Sequence, residues 1–178
     1  MHVLAEKLLC RPDNFQIFLD DFIRSLKMHH GVRAVSPLNS LLENEGMMLD
    51  QHTSNNECLE LLARVNAIFD KEVSSIYRRT VEDLQKAYNA SRSPFSIFSR
   101  IGPIIFWPVT ISSDYIMMLS ERRPEALAIL SHFGVLLHMH NEMWTFGDSG
   151  LYLTSSINRL PWARLGKLAA VAEYVSSI

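Results

Sequence analysis

Cysteine, glycine, proline and net charge are all scarce in this 178-residue chain, and each shortage excludes a class of protein. Only two cysteines are present, Cys10 and Cys58, too few and too far apart for a disulfide framework or a cysteine-rich metal cluster. Each sits in a helix-like segment and is expected to serve as a small core residue. Seven glycines and seven prolines exclude a collagen-like or low-complexity chain. A formal charge of -2 and a pI near 6.4 supply no positive field for phosphate backbones, so direct nucleic-acid binding by this chain is not expected. Long hydrophobic runs are also missing. The longest apolar stretches are residues 101–111, interrupted by Pro103 and Pro108, and residues 126–139, which contain His132 and His138. Both are too short to span a bilayer, and a transmembrane protein is not expected. Residues 1–7 contain Glu6 within a short apolar stretch and no small-residue cleavage pattern, so no signal peptide and a reducing, intracellular compartment are expected.

What the chain does have is a helical period and enough apolar residues, 48%, for a core. At this length a folded chain buries on the order of 70% of the surface its unfolded form exposes, so residues 1–178 are read as one domain. Pro12-Asp13 is a helix start, and behind it Phe15, Phe18, Leu19, Phe22, Ile23 and Leu26 make one apolar stripe that Gly31 ends. A connector follows at residues 32–37, and a shorter helix around residues 38–49. Ser54 and Glu57 have capping-box spacing, and the apolar face behind them runs from Cys58 to Tyr88. Residues 55–90 are therefore one long helix or two with a break near Asp70. Residues 90–94, Ala-Ser-Arg-Ser-Pro, signal a turn.

Beyond that turn the aromatics concentrate, and residues 101–120 contain Asp114 as their one acidic or basic residue. Pro124 suits the first turn of a helix, and residues 126–139 are apolar nearly all round, the pattern of a central helix surrounded by others. Gly134 in its middle costs about 1 kcal/mol against alanine, which points to close approach of a neighbouring helix or a ligand. Shorter helices are expected near residues 149–160 and 161–176. The fold class is all-α, a single irregular helical domain around a buried central helix at about residues 124–140.

Few constellations here carry chemistry. Gly147-Asp148-Ser149-Gly150 matches the residues around the nucleophile of chymotrypsin-like proteases, but the β-barrels and the upstream histidine and aspartate of that class are missing. Asp148 or Ser149 is instead expected to cap the following helix. His138 and His140 point about 200° apart on a helix and cannot share a metal there. His132 and His138 are expected to be hydrogen-bonded core histidines. No phosphate-binding or dinucleotide motif occurs, and Glu121, Glu125, Glu142 and Asp148 fall at helix ends. No metal and no cofactor are expected. Arg78-Arg79 and Arg122-Arg123 read as solvated surface pairs. What remains is a set rich in methionine and aromatics: Met117, Met118, Met139 and Met143 with Trp107, Phe133, Trp144 and Phe146. Methionine packs adaptably around irregular shapes, so the set either lines a pocket for a large apolar ligand or is ordinary core.

The segment Arg123-Pro124-Glu125-Ala126-Leu127-Ala128-Ile129-Leu130-Ser131-His132-Phe133-Gly134-Val135-Leu136-Leu137-His138 resembles a conserved stretch of fungal binuclear-zinc-cluster transcription regulators of the sterol uptake control type. Trp144-Thr145-Phe146-Gly147-Asp148-Ser149-Gly150 is similar to that family's Trp-x-x-Gly-x-x-Gly turn, and Pro161-Trp162 continues the match. Phe106-Trp107-Pro108 ahead of a helix also resembles the family pattern, as does, more weakly, the segment from His30 to Val35. The likeness covers roughly residues 26–175.

The resemblance implies an all-helical regulatory domain that senses a sterol or another lipophilic metabolite, works as a homodimer, and divides its time between nucleus and cytoplasm. No six-cysteine cluster or basic arm accompanies it, so the DNA-binding half is not in this chain. Trp107, Met118, Phe133, Leu137, Trp144, Phe146 and Gly147 are the expected ligand-binding residues, the last three because of the glycine turn. A rival reading is a small stand-alone enzyme or carrier of a fungal metabolite pathway on the same fold, with His132, His138 and Asp148 as acid–base candidates. A third is a dimerisation or scaffold domain with a fully packed interior.

Overall fold

A computed structural model of the chain describes residues 15–30, 58–67, 70–92, 97–143 and 146–160. Cys10, the helix start at Pro12-Asp13, the stop at Gly31, the helix at 38–49, the capping box of Ser54 and Glu57, Trp144 and the helix expected at 161–176 lie outside these residues. Among the described residues every regular element is an α-helix: α1 Phe15–His30, α2 Leu59–Asn66, α3 Lys71–Ser91, α4 Ile97–Thr110, α5 Ser113–Ser120, α6 Pro124–His138 and α7 Ser149–Asn158. The protein is all-α, as the periodicity predicts. No single helix among them is long and apolar enough to cross a membrane. Contacts gather the chain into two compact units, one from Leu26–Ser113 and one from Met1–Ser25 with Asp114–Ile178.

In the unit Leu26–Ser113, α3 packs against both α2 and α4. The expected break falls at Asp70, whose extended backbone (ψ 112°) lets its carboxylate accept the Glu72 and Val73 N–H groups at 2.9 and 3.3 Å. Two hydrogen bonds tie α2 to α3: the Ser74 hydroxyl donates to the Val65 carbonyl (3.0 Å), and the Cys58 N–H donates to Gln85 Oε1 (3.0 Å). Cys58 is fully buried, the core position expected of it.

The α4 helix continues through two prolines. It runs through Pro103 and Pro108, so Phe106-Trp107-Pro108 lies ahead of α5, as the resemblance expects, and also forms the closing turn of α4 itself. Each proline removes one i to i-4 bond, but Ile104 and Trp107 between them are buried, and the Trp107 indole N–H donates to the Thr80 carbonyl of α3 at 3.3 Å. Packing against α3 outweighs the lost backbone bonds.

In the other unit, the apolar stripe of α1 is buried at Phe18, Leu19, Phe22 and Ile23. Phe18 meets the Tyr152 ring of α7 edge-on, with centroids 5.3 Å apart at 88°. The α5 helix ends in a Schellman-type turn: the Arg122 N–H reaches Leu119 O at 3.0 Å and the Arg123 N–H reaches Met118 O at 3.2 Å. Arg122 stands where such turns favour glycine, with φ 58°. Its guanidinium donates to Gln16 Oε1 and Asp20 Oδ1 of α1, both at 2.7 Å, and Arg123 pairs with Glu121 at 2.7 Å. The pair expected to be merely solvated is thus engaged, whereas Arg78 and Arg79 are exposed.

Pro124 opens α6 at its first turn, after Arg123 in the extended conformation that a following proline requires (ψ 134°). Every residue from Ala126 to Leu137 is buried except His132, the all-round burial predicted for a central helix. The Tyr115 hydroxyl donates to the Ala126 carbonyl at 2.9 Å and fixes α5 to the first turn of α6.

Candidate functional site

The densest contact in the unit containing α6 is its packing against α7, and glycine makes it possible. A methyl group built on Gly134 would lie 2.5 Å from Thr154 Oγ1 and 3.1 Å from the Gly150 carbonyl oxygen. One built on Gly150 would strike the Gly134 carbonyl and the backbone of His138. The two helices therefore touch backbone to backbone. Thr154 closes the crossing by donating to Gly150 O (2.9 Å), with Ser131 O 3.4 Å away. Gly134, predicted to mark a close neighbour, has one in α7.

Ahead of α7 the chain turns sharply. Phe146 and Gly147 both donate their N–H to the Met143 carbonyl, at 2.9 and 3.0 Å, and Gly147 has φ 44°, a backbone conformation that glycine adopts without strain. The capping expectation fails here. Asp148 occupies the N-cap position but has φ -83° and ψ 10°, not the extended backbone that aims a cap side chain, and its carboxylate makes no cap bond. Ser149, the first helical residue, is 2% exposed, and its hydroxyl has no hydrogen-bond partner among the described residues.

The predicted ligand-binding residues divide between the two units. Trp107 belongs to the unit Leu26–Ser113, where its N–H is engaged by Thr80. Met118, Phe133, Leu137 and Phe146 belong to the other, and all four are buried. Phe133 and Leu137 are four residues apart and share one face of α6. Gly147 shapes the turn into α7, and Trp144 lies outside the described residues. Met117 of the same methionine-rich set is exposed.

The acid–base candidates do not converge. His132 is half-buried and its Nδ1 lies 3.1 Å from the Ala128 carbonyl, which can only accept, so Nδ1 carries the proton. His138, six residues on, is rotated about 240° around the helix from it. His138 Nδ1 is buried without a hydrogen-bond partner among the described residues, contrary to the bonded core histidine expected. Asp148 is exposed. Among the described residues no group of three or more His, Cys, Asp or Glu is placed to hold a metal ion.

Two features escaped sequence reasoning. The aromatic row of Phe15, Phe18 and Phe22, whose first two rings meet Tyr152, joins residues more than 130 positions apart, and no local pattern signals it. The hydroxyls of Ser131 and Ser149, buried without a hydrogen-bond partner among the described residues, were equally hidden, because serine in a helical segment ordinarily bonds its own backbone.

No family model, curated protein or solved structure matches this chain.

Proposed function

We propose that this chain is a ligand-sensing regulatory domain of the kind that resembles fungal zinc-cluster transcription regulators, and that its ligand is a sterol or another lipophilic metabolite. One observation carries the reading. Two of the segments that carry the resemblance, Arg123 to His138 and the stretch that ends at Gly150, meet at the crossing of Gly134 with Gly150. Phe133 and Leu137 of the first segment, and Phe146 just ahead of Gly147, are buried apolar side chains.

A sensor needs two arrangements and a ligand that prefers one. Helices in backbone contact at two glycines have few intermediate positions, so a ligand held against α6 shifts α7 as a unit. To carry the domain from 1:99 to 99:1 the ligand must favour one state about 10⁴-fold. DNA recognition would come from a zinc cluster joined to this domain, and a second copy of the chain would be its dimer partner.

The test is native mass spectrometry with lipid extraction on the purified chain. The reading predicts a co-purifying or bindable sterol or isoprenoid at one molecule per chain. A chain that neither carries nor takes up any lipophilic molecule contradicts it and favours a packed scaffold.

A further inference from the structure

We infer that the beginning of α1, residues 15–23, forms a strap that ties the seating of α7 to the turn between α5 and α6, with Arg122 as the positioning residue that latches it. On the ligand-sensing reading, the strap carries a movement of α7 away from its crossing with α6; the contacts that form it involve no ligand.

Strain is the first observation. Arg122 is the one non-glycine residue among the described residues with a positive φ, 58°. Glycine would hold that backbone without strain, and any other residue persists there only where its surroundings over-determine it. At Arg122 the side chain is what is held. Its Nε donates to Gln16 Oε1 and its Nη2 to Asp20 Oδ1, both at 2.7 Å, and its Nη1 donates to Ser120 O at 3.5 Å. Gln16 and Asp20 are one helical turn apart, so a single guanidinium fork spans both acceptors along one edge of α1. A glycine would relieve the backbone and reach neither.

The other edge of α1 meets α7. Phe18 is two residues from both Gln16 and Asp20, hence about 200° around the helix from each. Its ring meets Tyr152 edge-on at 5.3 Å, and Phe15 meets the same ring at 6.5 Å and 67°. Tyr152 stands two residues beyond Gly150, which touches the backbone of Gly134 and His138. All of these residues belong to the one unit that contains α6 and α7.

The beginning of α1 is therefore held on one edge by the turn that leads into α6 and on the other by α7. Packed elements of this kind exchange between discrete arrangements rather than deform continuously. A reseating of α7 shifts α1 and opens the latch, and Arg122 is then free to leave the left-handed region. The strain relieved offsets part of the bonds lost, which brings the latched and released arrangements closer in free energy.

Hydrogen exchange of the whole purified chain, with no ligand added, compares the wild type with Gln16→Ala/Asp20→Ala, Arg122→Gly and Arg24→Ala. Both latch variants are expected to speed exchange of amides in residues 149–158 by about twofold to fivefold, the factor that corresponds to a half-exposed ion pair. Arg24→Ala removes an ion pair that lies wholly within α1, to Asp21 at 3.2 Å, and leaves those amides unchanged. Exchange in residues 149–158 that neither latch variant moves, or that Arg24→Ala raises as much, overturns the strap and leaves the ligand-sensing reading standing. Failure of the chain to take up any lipophilic molecule overturns that reading and leaves the strap standing.

Discussion

Gly134 and Gly150 face each other across α6 and α7 so closely that a single added methyl group on either meets the opposite helix. That contact brings together the two sequence segments on which the functional reading depends, and its energetics are directly measurable.

Alanine at either glycine is expected to destabilise the protein, by about 1–3 kcal/mol from overpacking against a gain of about 1 kcal/mol in helix propensity. Gly150→Ala should be the worse, because it strikes backbone atoms of Gly134 and His138 that cannot rotate away. At Gly134 the nearest obstacle is the Thr154 side chain at 2.5 Å, so Thr154→Ala in the Gly134→Ala background should recover part of the loss. Urea unfolding of the three variants checks the order.

Arg122 tests how strain is held in place. Its left-handed backbone costs about 1–2 kcal/mol for a non-glycine residue, and its half-exposed pair with Asp20 returns about 0.2–1 kcal/mol. Arg122→Gly loses the pair and the strain together and should be close to neutral. Arg122→Ala keeps the strain and should be less stable than Arg122→Gly by about 1 kcal/mol. Equal stability of the two variants would show that the turn rearranges.

Asp70 should behave as an ordinary helix cap. Its carboxylate holds two amide groups at the start of α3, so Asp70→Ala is expected to cost about 1 kcal/mol, with Asp70→Ser retaining most of it. Thermal denaturation followed by circular dichroism reads the difference.

Trp107 anchors α4 on α3. Trp107→Ala is expected to cost about 3–5 kcal/mol as a buried aromatic truncated in a packed core. Trp107→Phe keeps most of the volume but loses the bond to the Thr80 carbonyl, so it should cost less than half as much, as read by equilibrium unfolding.

Local chemistry made much of the fold legible. The break at Asp70 was visible because aspartate caps helices, and the burial of α6 because residues 126–139 are apolar on every side. Gly134 announced a close neighbour because glycine inside a helix needs a reason. The misses are tertiary. Packing against α3 carried α4 through Pro103 and Pro108, which local rules treat as breaks. Arg122 found Asp20 at a separation of 102 residues, beyond any local pattern. Asp148 has the residue type of a cap without the backbone angle of one, and that angle is set by the preceding turn at Gly147.

The proposed ligand-sensing role requires a lipophilic ligand to couple to α6 and α7. Hydrogen exchange of the purified chain with and without ergosterol or oleate tests it most directly. Slower exchange of amides in residues 124–138 and 149–158 is expected at saturating ligand, together with a raised thermal midpoint, while residues 71–91 change little. Exchange unchanged throughout both helices, at concentrations where a bound lipid is detected by mass, would contradict it.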